Sequence, residues 1–366
     1  MGFQCGIIGL PNVGKSTIFN ALTSNEVPAE NYPFCTVDPN IGVVEVPDAR
    51  LERIAEIYQP DAATPTTLQF VDIAGLVKGA SKGEGLGNQF LAQIQQTEAI
   101  AHVIRCFEAE NVTHITGRID PVDDIETVNT ELYLRDMETL EKRLEKTAKQ
   151  AKTGDKGARI QMDVYQKAYD HLSAGQPVRT LNLDEEEAGM LQPLFLLSAK
   201  KVLYVANVSE GEIVSDETSP YTESVIQHAA DVDSEVVVIC GKLEQDIAQL
   251  PEDEKAEFIA EYGLKQPGLH KLIRAGYDLL HLITFFTVNP NEAHAWTIRQ
   301  GATAPEAAGK VHTDFQRGFI KADVYKFSDL DEYGSEKALR EHGLLRQEGR
   351  DYVVQDGDVL FFRFNV

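Results

Sequence analysis

The residues best suited to chemistry lie near the N-terminus, where the octapeptide Gly9–Ser16 fits the pattern G-x-x-x-x-G-K-[ST]. In such a loop the backbone N–H groups surround phosphates, Lys15 reaches the β and γ oxygens, and the Ser16 hydroxyl ligates Mg²⁺ at a helix N-terminus. Average residue usage would produce this pattern by chance in about one such chain in a hundred. We therefore predict a nucleoside triphosphate site in which Lys15 also serves catalysis; the alternative is a structural glycine turn. The residues predicted to bind the nucleotide here are Asn12, Val13, Gly14, Lys15, Ser16 and Thr17.

Three oxygen-bearing side chains are predicted to surround the metal ion. The apolar run Leu68–Val71 ends at Asp72, which places a carboxylate at a strand end, where it can hold Mg²⁺ through water. Asp72 begins the pattern D-x-x-G, whose Gly75 is expected to contact the nucleotide. Thr36, in the loop before this strand, would supply a second hydroxyl; the alternative is a buried or capping threonine. The predicted metal ligands are Ser16, Thr36 and Asp72.

The segment after Gly75 bears on hydrolysis. Four glycines among residues 79–87 make a loop that is costly to order without a ligand, so we expect a switch that the γ-phosphate orders. Leu76 occupies the position where Ras-like enzymes carry a glutamine that orients the attacking water. Because an aliphatic side chain cannot hydrogen-bond to water, the hydrolytic group must lie elsewhere or turnover must be slow.

The residues that would select the base follow the apolar run Lys201–Ala206 and read N-V-S-E at Asn207–Glu210. Guanine-specific proteins carry N-K-x-D at this point. Here the lysine is absent and the carboxylate is one methylene longer, which weakens a guanine preference and permits adenine. The residue chemistry alone predicts relaxed specificity. The predicted base-site residues are Asn207, Val208 and Glu210, joined by Cys240 and Gly241, for which a simple strand-to-helix turn is the alternative.

These motifs need a scaffold that presents several loops at one edge of a sheet. Apolar runs that predict strands alternate with helical patterns, which is typical of an α/β, doubly wound, mainly parallel sheet of the P-loop NTPase type. Ligands bind to such sheets at the carboxyl ends of the strands. The predicted strands cover residues 3–8, 42–46, 68–71, 101–107, 201–206 and 235–239.

A basic segment interrupts this pattern. Between Lys142 and Arg159 there are seven basic residues and two acidic ones, a local excess of 7 − 2 = +5. Apolar residues at helical spacing flank a break at Gly154 and Gly157, so we predict an antiparallel helical hairpin that projects from the first domain. Contact with ribosomal RNA and an ordinary solvated charged face are both open.

The C-terminal region predicts a smaller domain. Strands are expected at 282–288, 295–299, 319–327, 352–354 and 359–364, and Thr303–Glu306 has capping-box form before a short helix. One helix on a small mixed sheet is a ubiquitin-like β-grasp. Its ten basic and thirteen acidic residues give no electrostatic support for RNA binding, so a protein partner is at least as reasonable.

The bulk composition suggests a cytoplasmic protein. The chain has 366 residues and a formal net charge of −24, which argues against a general coat for nucleic acid. No membrane span or secretory leader is apparent, and the four cysteines show no paired spacing, so we expect reduced thiols and no membrane partner. The predicted domains are 1–124 and 196–281 for the two parts of the nucleotide-binding domain, 125–195 for the helical insertion and 282–366 for the β-grasp.

The chain resembles the YchF, Obg-like ATPase family of translation-factor-class P-loop proteins over essentially its whole length. This resemblance implies a preference for ATP over GTP, a helical coiled-coil insertion, a C-terminal TGS domain, and association with ribosomes in translation or stress responses. The motifs that carry it are Gly9–Ser16, Tyr32–Thr36, Asp72–Ala80, Gly83–Asn88 and Asn207–Glu210.

The resemblance also suggests roles for two further residues. His114 matches a family histidine that is a candidate to position or deprotonate the attacking water; the alternative is an exposed loop histidine. Asn12 matches an asparagine that holds K⁺ beside the phosphates in related P-loops; the alternative is a local hydrogen bond within the loop.

Residues and resemblance together predict a slow Mg²⁺-dependent ATPase that acts as a nucleotide-controlled, ribosome-associated switch. Two other functions stay open. One is a conventional GTPase. The other is a ribosome- or protein-binding module in which ATP is a conformational ligand and hydrolysis is incidental.

Overall fold

Two compact units divide the chain. The computed structural model describes residues 3–24, 40–73, 91, 93–109, 117–215 and 217–365. The first unit comprises residues 3–42 and 69–272, and the second comprises residues 43–68 together with the chain from Ile273 onward.

The first unit contains most of a six-stranded sheet whose order is β2-β4-β1-β5-β6-β7, while residues 43–45 of β2 and 67–68 of β4 belong to the second unit. Its strands are β1 (Gln4–Ile8), β2 (Ile41–Glu45), β4 (Thr67–Asp72), β5 (Ala99–Arg105), β6 (Lys201–Asn207) and β7 (Glu235–Ile239), while β3 (Ala62–Thr64) belongs to the second sheet. The strands β4, β1, β5, β6 and β7, which are neighbours in the sheet, all run parallel to one another. Every residue of β5 is buried, as expected when helices cover both faces of a sheet. The predicted doubly wound α/β fold is confirmed.

Helices connect these strands. Those of the first unit are α1 (Lys15–Thr23), α3 (Pro121–Ala151), α4 (Lys156–Ser173), α5 (Glu185–Leu191), α6 (Glu210–Ser215), α7 (Pro220–Asp231), α8 (Gly241–Gln249) and α9 (Glu252–Glu261), and α10 (Gly268–Leu279) carries the chain across the boundary at Ile273. The second unit contains α2 (Ala49–Tyr58), α11 (Ala304–Val311), α12 (Thr313–Arg317), α13 (Phe327–Tyr333) and α14 (Glu336–Glu341). The helix α1 follows β1 directly, so its N-terminus lies at the carboxyl end of that strand.

The predicted helical hairpin is formed by α3 and α4. Asp120 caps the start of α3, and Asp155 accepts hydrogen bonds from the first N–H groups of α4. Between the helices the chain reverses through Gly154, whose φ of +95° a residue with a Cβ adopts only at a cost. Tyr169 on α4 donates to Glu141 on α3 at 2.9 Å, a contact that an antiparallel pair allows.

A buried carboxylate fastens this hairpin to the sheet. Asp136 on α3 is 1% exposed and accepts hydrogen bonds from the N–H of Leu197, at 2.8 Å, and from the N–H and hydroxyl of Ser198, at 2.8 and 2.6 Å. Burial raises the pKa of Asp136 to about 6, although the bonds from Ser198 oppose the shift. Lys200 donates to the carbonyls of Gln95, at 3.2 Å, and Thr97. The Ser198–Lys200 turn therefore organises the entrance to β6.

The second unit is a β-grasp. Its remaining strands are β8 (Leu282–Val288), β9 (Glu292–Arg299), β10 (Phe319–Lys326), β11 (Arg346–Glu348) and β12 (Asp358–Phe364), in the order β11-β10-β12-β8-β9-β3. The hairpin of β8 and β9 is followed by α11, and β12 pairs in parallel with β8 at the centre of the sheet. The predicted cap of α11 is present, since the Glu306 carboxylate accepts from the N–H of Thr303 at 2.7 Å. This mixed-sheet architecture is the one predicted for the C-terminal domain.

Residues 43–68 lie with the second unit, whereas the sequence analysis placed them in the nucleotide-binding domain. Arg50 on α2 forms an ion pair with Asp356 at 2.7 Å, and β3 pairs in parallel with β9. Leu51 and Ile54 of α2 are buried in the hydrophobic core of this unit. Amphipathic packing and strand pairing with a distant part of the chain thus outweigh closeness in sequence.

Three short segments differ from the predicted strands, and one of them is β3, which was not predicted. Tyr352–Val354 forms only one isolated bridge, to Thr303, because its backbone bonds to Ala302 and Ala304 at the entrance of α11. The unpredicted β11 fills the sheet edge beside β10 instead. No helix in the described ranges is long and apolar enough to cross a membrane.

Candidate functional site

The loop between β1 and α1 adopts the backbone shape that its glycines allow. Gly9 has φ +151° and Gly14 has φ +101°, and a Cβ at Gly9 would collide with the carbonyl of Val103 on β5. Asn12 also has a positive φ, +63°, a conformation that asparagine tolerates better than most residues. The loop therefore lies against the neighbouring strand and turns sharply into α1.

Lys15 is a buried cation in this loop. Its side chain is 7% exposed, and its Nζ donates a hydrogen bond to the carbonyl of Leu10 at 2.8 Å. Burial lowers the pKa of Lys15 to about 8, while the negative charge of Asp72 opposes part of that shift. The ammonium is thus held across the loop at a cost in hydration, and an additional anion would stabilise its charged form.

The other loop residues divide by exposure. Val13 is buried, Thr17 is half-buried, and Asn12 and Ser16 are exposed. Ser16 is the second residue of α1, so its hydroxyl stands in the first turn of that helix. A helix N-terminus attracts anions through its free N–H groups, which fits a phosphate at this position.

Asp72 ends β4 beside the loop. It pairs in register with Ile7 of β1, and its N–H donates to the carbonyl of Asn40 at 2.8 Å. Its Oδ1 is buried and accepts no hydrogen bond from the described residues. Burial raises the pKa of Asp72, and the charge of Lys15 opposes that shift. A buried carboxylate oxygen without a donor is the kind of ligand that a hard divalent cation or its bound water takes.

Asn207 joins three loops. Its Nδ2 donates to the carbonyl of Val13 at 2.9 Å, and its Oδ1 accepts from the N–H of Gly241 at 2.9 Å. The side chain is 4% exposed and lies so close to Gly14 that a Cβ there would collide with it. One amide therefore positions the phosphate loop relative to the segments that follow β6 and β7.

The predicted base-site residues gather at the ends of β6 and β7. The N–H of Val208 donates to the carbonyl of Ile239 at 2.9 Å, which ties the two strand ends together. Glu210 begins α6 and forms an ion pair with Lys242 at 3.0 Å. Cys240 is buried, and burial raises the pKa of its thiol.

The structure thus brings together most of the predicted residues, and it reveals an ion pair that the sequence analysis did not predict. Thr36, Gly75, Leu76 and His114 lie outside the described residues. Lys242 directly follows Cys240 and Gly241, which the sequence analysis assigned to the base site, but its ion pair with Glu210 was not predicted. The available signal was a cation three positions beyond a predicted strand end, and only strand order places it opposite Glu210.

Comparison with known proteins gives consistent results. A family model described as 50S ribosome-binding GTPase matches residues 4–150, and the YchF-GTPase_C model, described as a protein of unknown function (DUF933), matches residues 282–365. The Ribosome-binding ATPase YchF of Escherichia coli O157:H7 is 52% identical over 366 residues, and that of Bacillus subtilis (strain 168) is 48% identical; both alignments cover 100% of each chain. The structure of the Schizosaccharomyces pombe YchF GTPase is similar with a TM-score of 0.88 at 33% identity, covering 99% of this chain and 98% of that one.

Replacing Asn207 with alanine should destabilise the first unit. The carbonyl of Val13 and the N–H of Gly241 would both lose their partner in a buried setting, so we expect a loss of about 2–4 kcal/mol in the free energy of unfolding. Urea denaturation followed by circular dichroism measures it. Asn182→Ala, at an exposed position, is the matched control and should change this value by less than about 0.5 kcal/mol. Equal stability of the two variants would show that the amide bridge contributes little.

Proposed function

This chain belongs to the YchF family, and we propose that it is a slow, Mg²⁺-dependent ATPase that works as a nucleotide-controlled switch in contact with the ribosome. The observation that carries the proposal is the buried Lys15 in a glycine-shaped loop beside the Asp72 carboxylate. This cation and this carboxylate support the binding of a phosphate chain and its metal ion. The name of these relatives, Ribosome-binding ATPase YchF, supports the same activity and partner.

In the proposed complex the loop residues Asn12–Thr17 surround the phosphates with N–H groups. Lys15 exchanges its bond to the Leu10 carbonyl, in whole or in part, for the β- and γ-phosphate oxygens. This exchange replaces a neutral acceptor with a charged one, so the attraction between opposite charges is added to the hydrogen bond. Gly75 would contact the γ-phosphate from the other side.

Mg²⁺ is the metal that fits these residues. Ser16 and Thr36 would hold it through their hydroxyls, and the Oδ1 of Asp72, which accepts no hydrogen bond from the described residues, would accept one from its bound water. When bound, the ion neutralises the charge that develops on the β- and γ-phosphate oxygens. Asn12, an exposed residue of the phosphate loop, is the residue that would hold K⁺.

The proposed preference for ATP rests on N-V-S-E. The side-chain amide of Asn207 is already engaged by its hydrogen bonds to Val13 and Gly241. Val208 and Glu210 are therefore proposed to contact the base, with Cys240 and Gly241 beside it. The lysine that packs on guanine in N-K-x-D proteins is replaced by Val208. A conventional GTPase is the alternative on the same fold.

Hydrolysis without a glutamine after D-x-x-G is expected to be slow. Leu76 cannot orient water, so His114 is proposed to position or deprotonate it. Slow turnover suits a switch, because the ATP-bound state then persists until a partner accelerates hydrolysis. If hydrolysis is incidental, the chain is instead a binding module with ATP as its conformational ligand.

The helical hairpin is the proposed ribosome contact. The seven basic side chains between Lys142 and Arg159 are all exposed, and the described part of the chain provides no ion-pair partner for any of them. They are Lys142, Arg143, Lys146, Lys149, Lys152, Lys156 and Arg159. In a chain of net charge −24, an unneutralised cationic cluster favours a polyanion such as ribosomal RNA. The β-grasp unit, which we interpret as a TGS domain, is the proposed site for a protein partner, and the proposed location is the cytoplasm.

Lys15→Ala should abolish ATP hydrolysis and weaken ATP binding roughly a hundredfold, because one charge-assisted contact to the phosphates is lost. Competition titration of ATP against GTP at equal Mg²⁺, with turnover measured with and without ribosomes, tests the proposal. The exposed Lys265→Ala is the control and should behave as wild type. Undiminished turnover in Lys15→Ala, or a preference for GTP in the wild type, would overturn it. Turnover that ribosomes leave unchanged would favour the binding module.

ATP affinity should fall as the pH rises above 8. The pKa of Lys15 is lowered to about 8 in the free protein, and bound phosphate favours the ammonium, so ATP binding must take up a proton at higher pH. Affinity should be independent of Lys15 titration below pH 7 and decrease above 8 by up to about tenfold per pH unit. Calorimetry at pH 9 in two buffers with different ionisation enthalpies measures the proton uptake. Binding without proton uptake at pH 9 would contradict this role for Lys15.

His114→Ala should lower turnover by about a hundredfold while leaving ATP affinity nearly unchanged, since the residue is proposed to act on the attacking water only. Single-turnover hydrolysis and equilibrium titration separate the two effects. The exposed His342 of the second unit provides the control variant, His342→Ala. An unchanged rate would identify His114 as an ordinary loop histidine.

A further inference from the structure

Lys242 and Glu210 form an exposed ion pair that no motif predicts. Glu210 is the first residue of α6, after β6, and Lys242 is the second residue of α8, after β7. Their Oε2 and Nζ atoms are 3.0 Å apart, and the side chains are 33% and 72% exposed. A solvent-accessible pair of this kind contributes little to stability, so its position at the strand ends calls for another explanation.

The position of this pair is set by the phosphate loop. The N–H of Gly241, the residue before Lys242, donates to Asn207, and Asn207 donates in turn to the Val13 carbonyl. Asn207 also stands three residues before Glu210. Both members of the pair are therefore connected through Asn207 to the loop that would hold the phosphates. A base attached to those phosphates would be read at this edge of the sheet.

The ion pair changes what Glu210 can accept. A free carboxylate offers two oxygens, which suits the two adjacent donors of guanine, its N1–H and its exocyclic amine. With Oε2 engaged by Lys242, Oε1 is left as the less encumbered acceptor. Adenine presents one amine donor, at N6, beside one acceptor, N1. The ammonium of Lys242 still has protons to donate to that acceptor.

We propose that Lys242 is a specificity-determining residue that pairs with Glu210 to read adenine: Glu210 accepts from N6, and Lys242 donates to N1 and keeps the carboxylate from binding guanine through both oxygens. This inference rests on the proposed ATP-binding function and adds a residue to it. Discrimination arises because guanine would leave its N1–H facing an ammonium donor, and an unpaired polar group in a site lowers affinity.

Competition titrations of a fluorescent nucleotide with ATP, GTP and 1-deaza-ATP, at fixed Mg²⁺, test this role directly. In 1-deaza-ATP a C–H replaces N1, so only the contact from Lys242 is removed. The wild type should bind it about tenfold more weakly than ATP. Lys242→Met should bind the two equally and should reduce the preference for ATP over GTP by about fivefold or more.

Controls separate this effect from general electrostatics. Lys265→Met removes one exposed positive charge elsewhere in the unit and should keep both wild-type ratios. Lys242→Arg retains a donor and should keep most of the preference for ATP over 1-deaza-ATP. Because Lys242 is exposed, its variants should fold, which thermal circular dichroism verifies.

Two failures are distinguishable. A wild type that prefers ATP, together with Lys242→Met that keeps the wild-type ratios, overturns the role of Lys242 and leaves the ATPase proposal standing. A wild type that binds neither nucleotide or prefers GTP overturns the proposed function, and the role of Lys242 with it.

Discussion

The structure depends on a lysine ammonium that the fold keeps out of water. Lys15 is buried where a glycine-shaped loop meets a helix, and the depressed pKa of its amine reflects lost hydration that one carbonyl bond and the charge of Asp72 only partly replace. Asp72 has a complementary deficit, since one of its oxygens is buried with no donor among the described residues. A triphosphate with its metal ion would satisfy both groups, and in the proposed function this need drives nucleotide binding.

Hydrogen bonds from one amide extend that constraint across the sheet edge. Asn207 holds the phosphate loop on one side and Gly241 on the other, so a displacement of the loop would also affect the segments beyond β6 and β7. Asn207 is the last residue of β6, and the helical hairpin is attached at the opposite end of the same strand, through the bonds of Asp136 to the turn that enters β6. The strand β6 thus carries the hairpin attachment at its start and the proposed base site at its end, so it would connect the proposed ribosome contact with the proposed nucleotide site.

Local chemistry made part of this architecture predictable. The phosphate loop was recognisable because glycines, a lysine and a serine at fixed spacing serve few other purposes, and the buried strands because continuous apolar runs bounded by turns rarely form anything else. The cap at Glu306 followed from its spacing to Thr303. The strand predicted at 352–354 was wrong, because the backbone of a short apolar run can form hydrogen bonds with the start of a helix as readily as with a sheet.

By itself, the sequence determined the identity of the phosphate loop and the fold class of both sheets, since the loop motif and the pattern of each strand and helix are encoded by residues close together in the chain. Only the tertiary structure decided that residues 43–68 join the second unit, that Asn207 links three loops, and that Lys242 faces Glu210. These contacts join segments that are tens to hundreds of positions apart. Which segments meet is decided by the order of the strands in the sheet and by burial, and neither can be read from a short stretch of sequence.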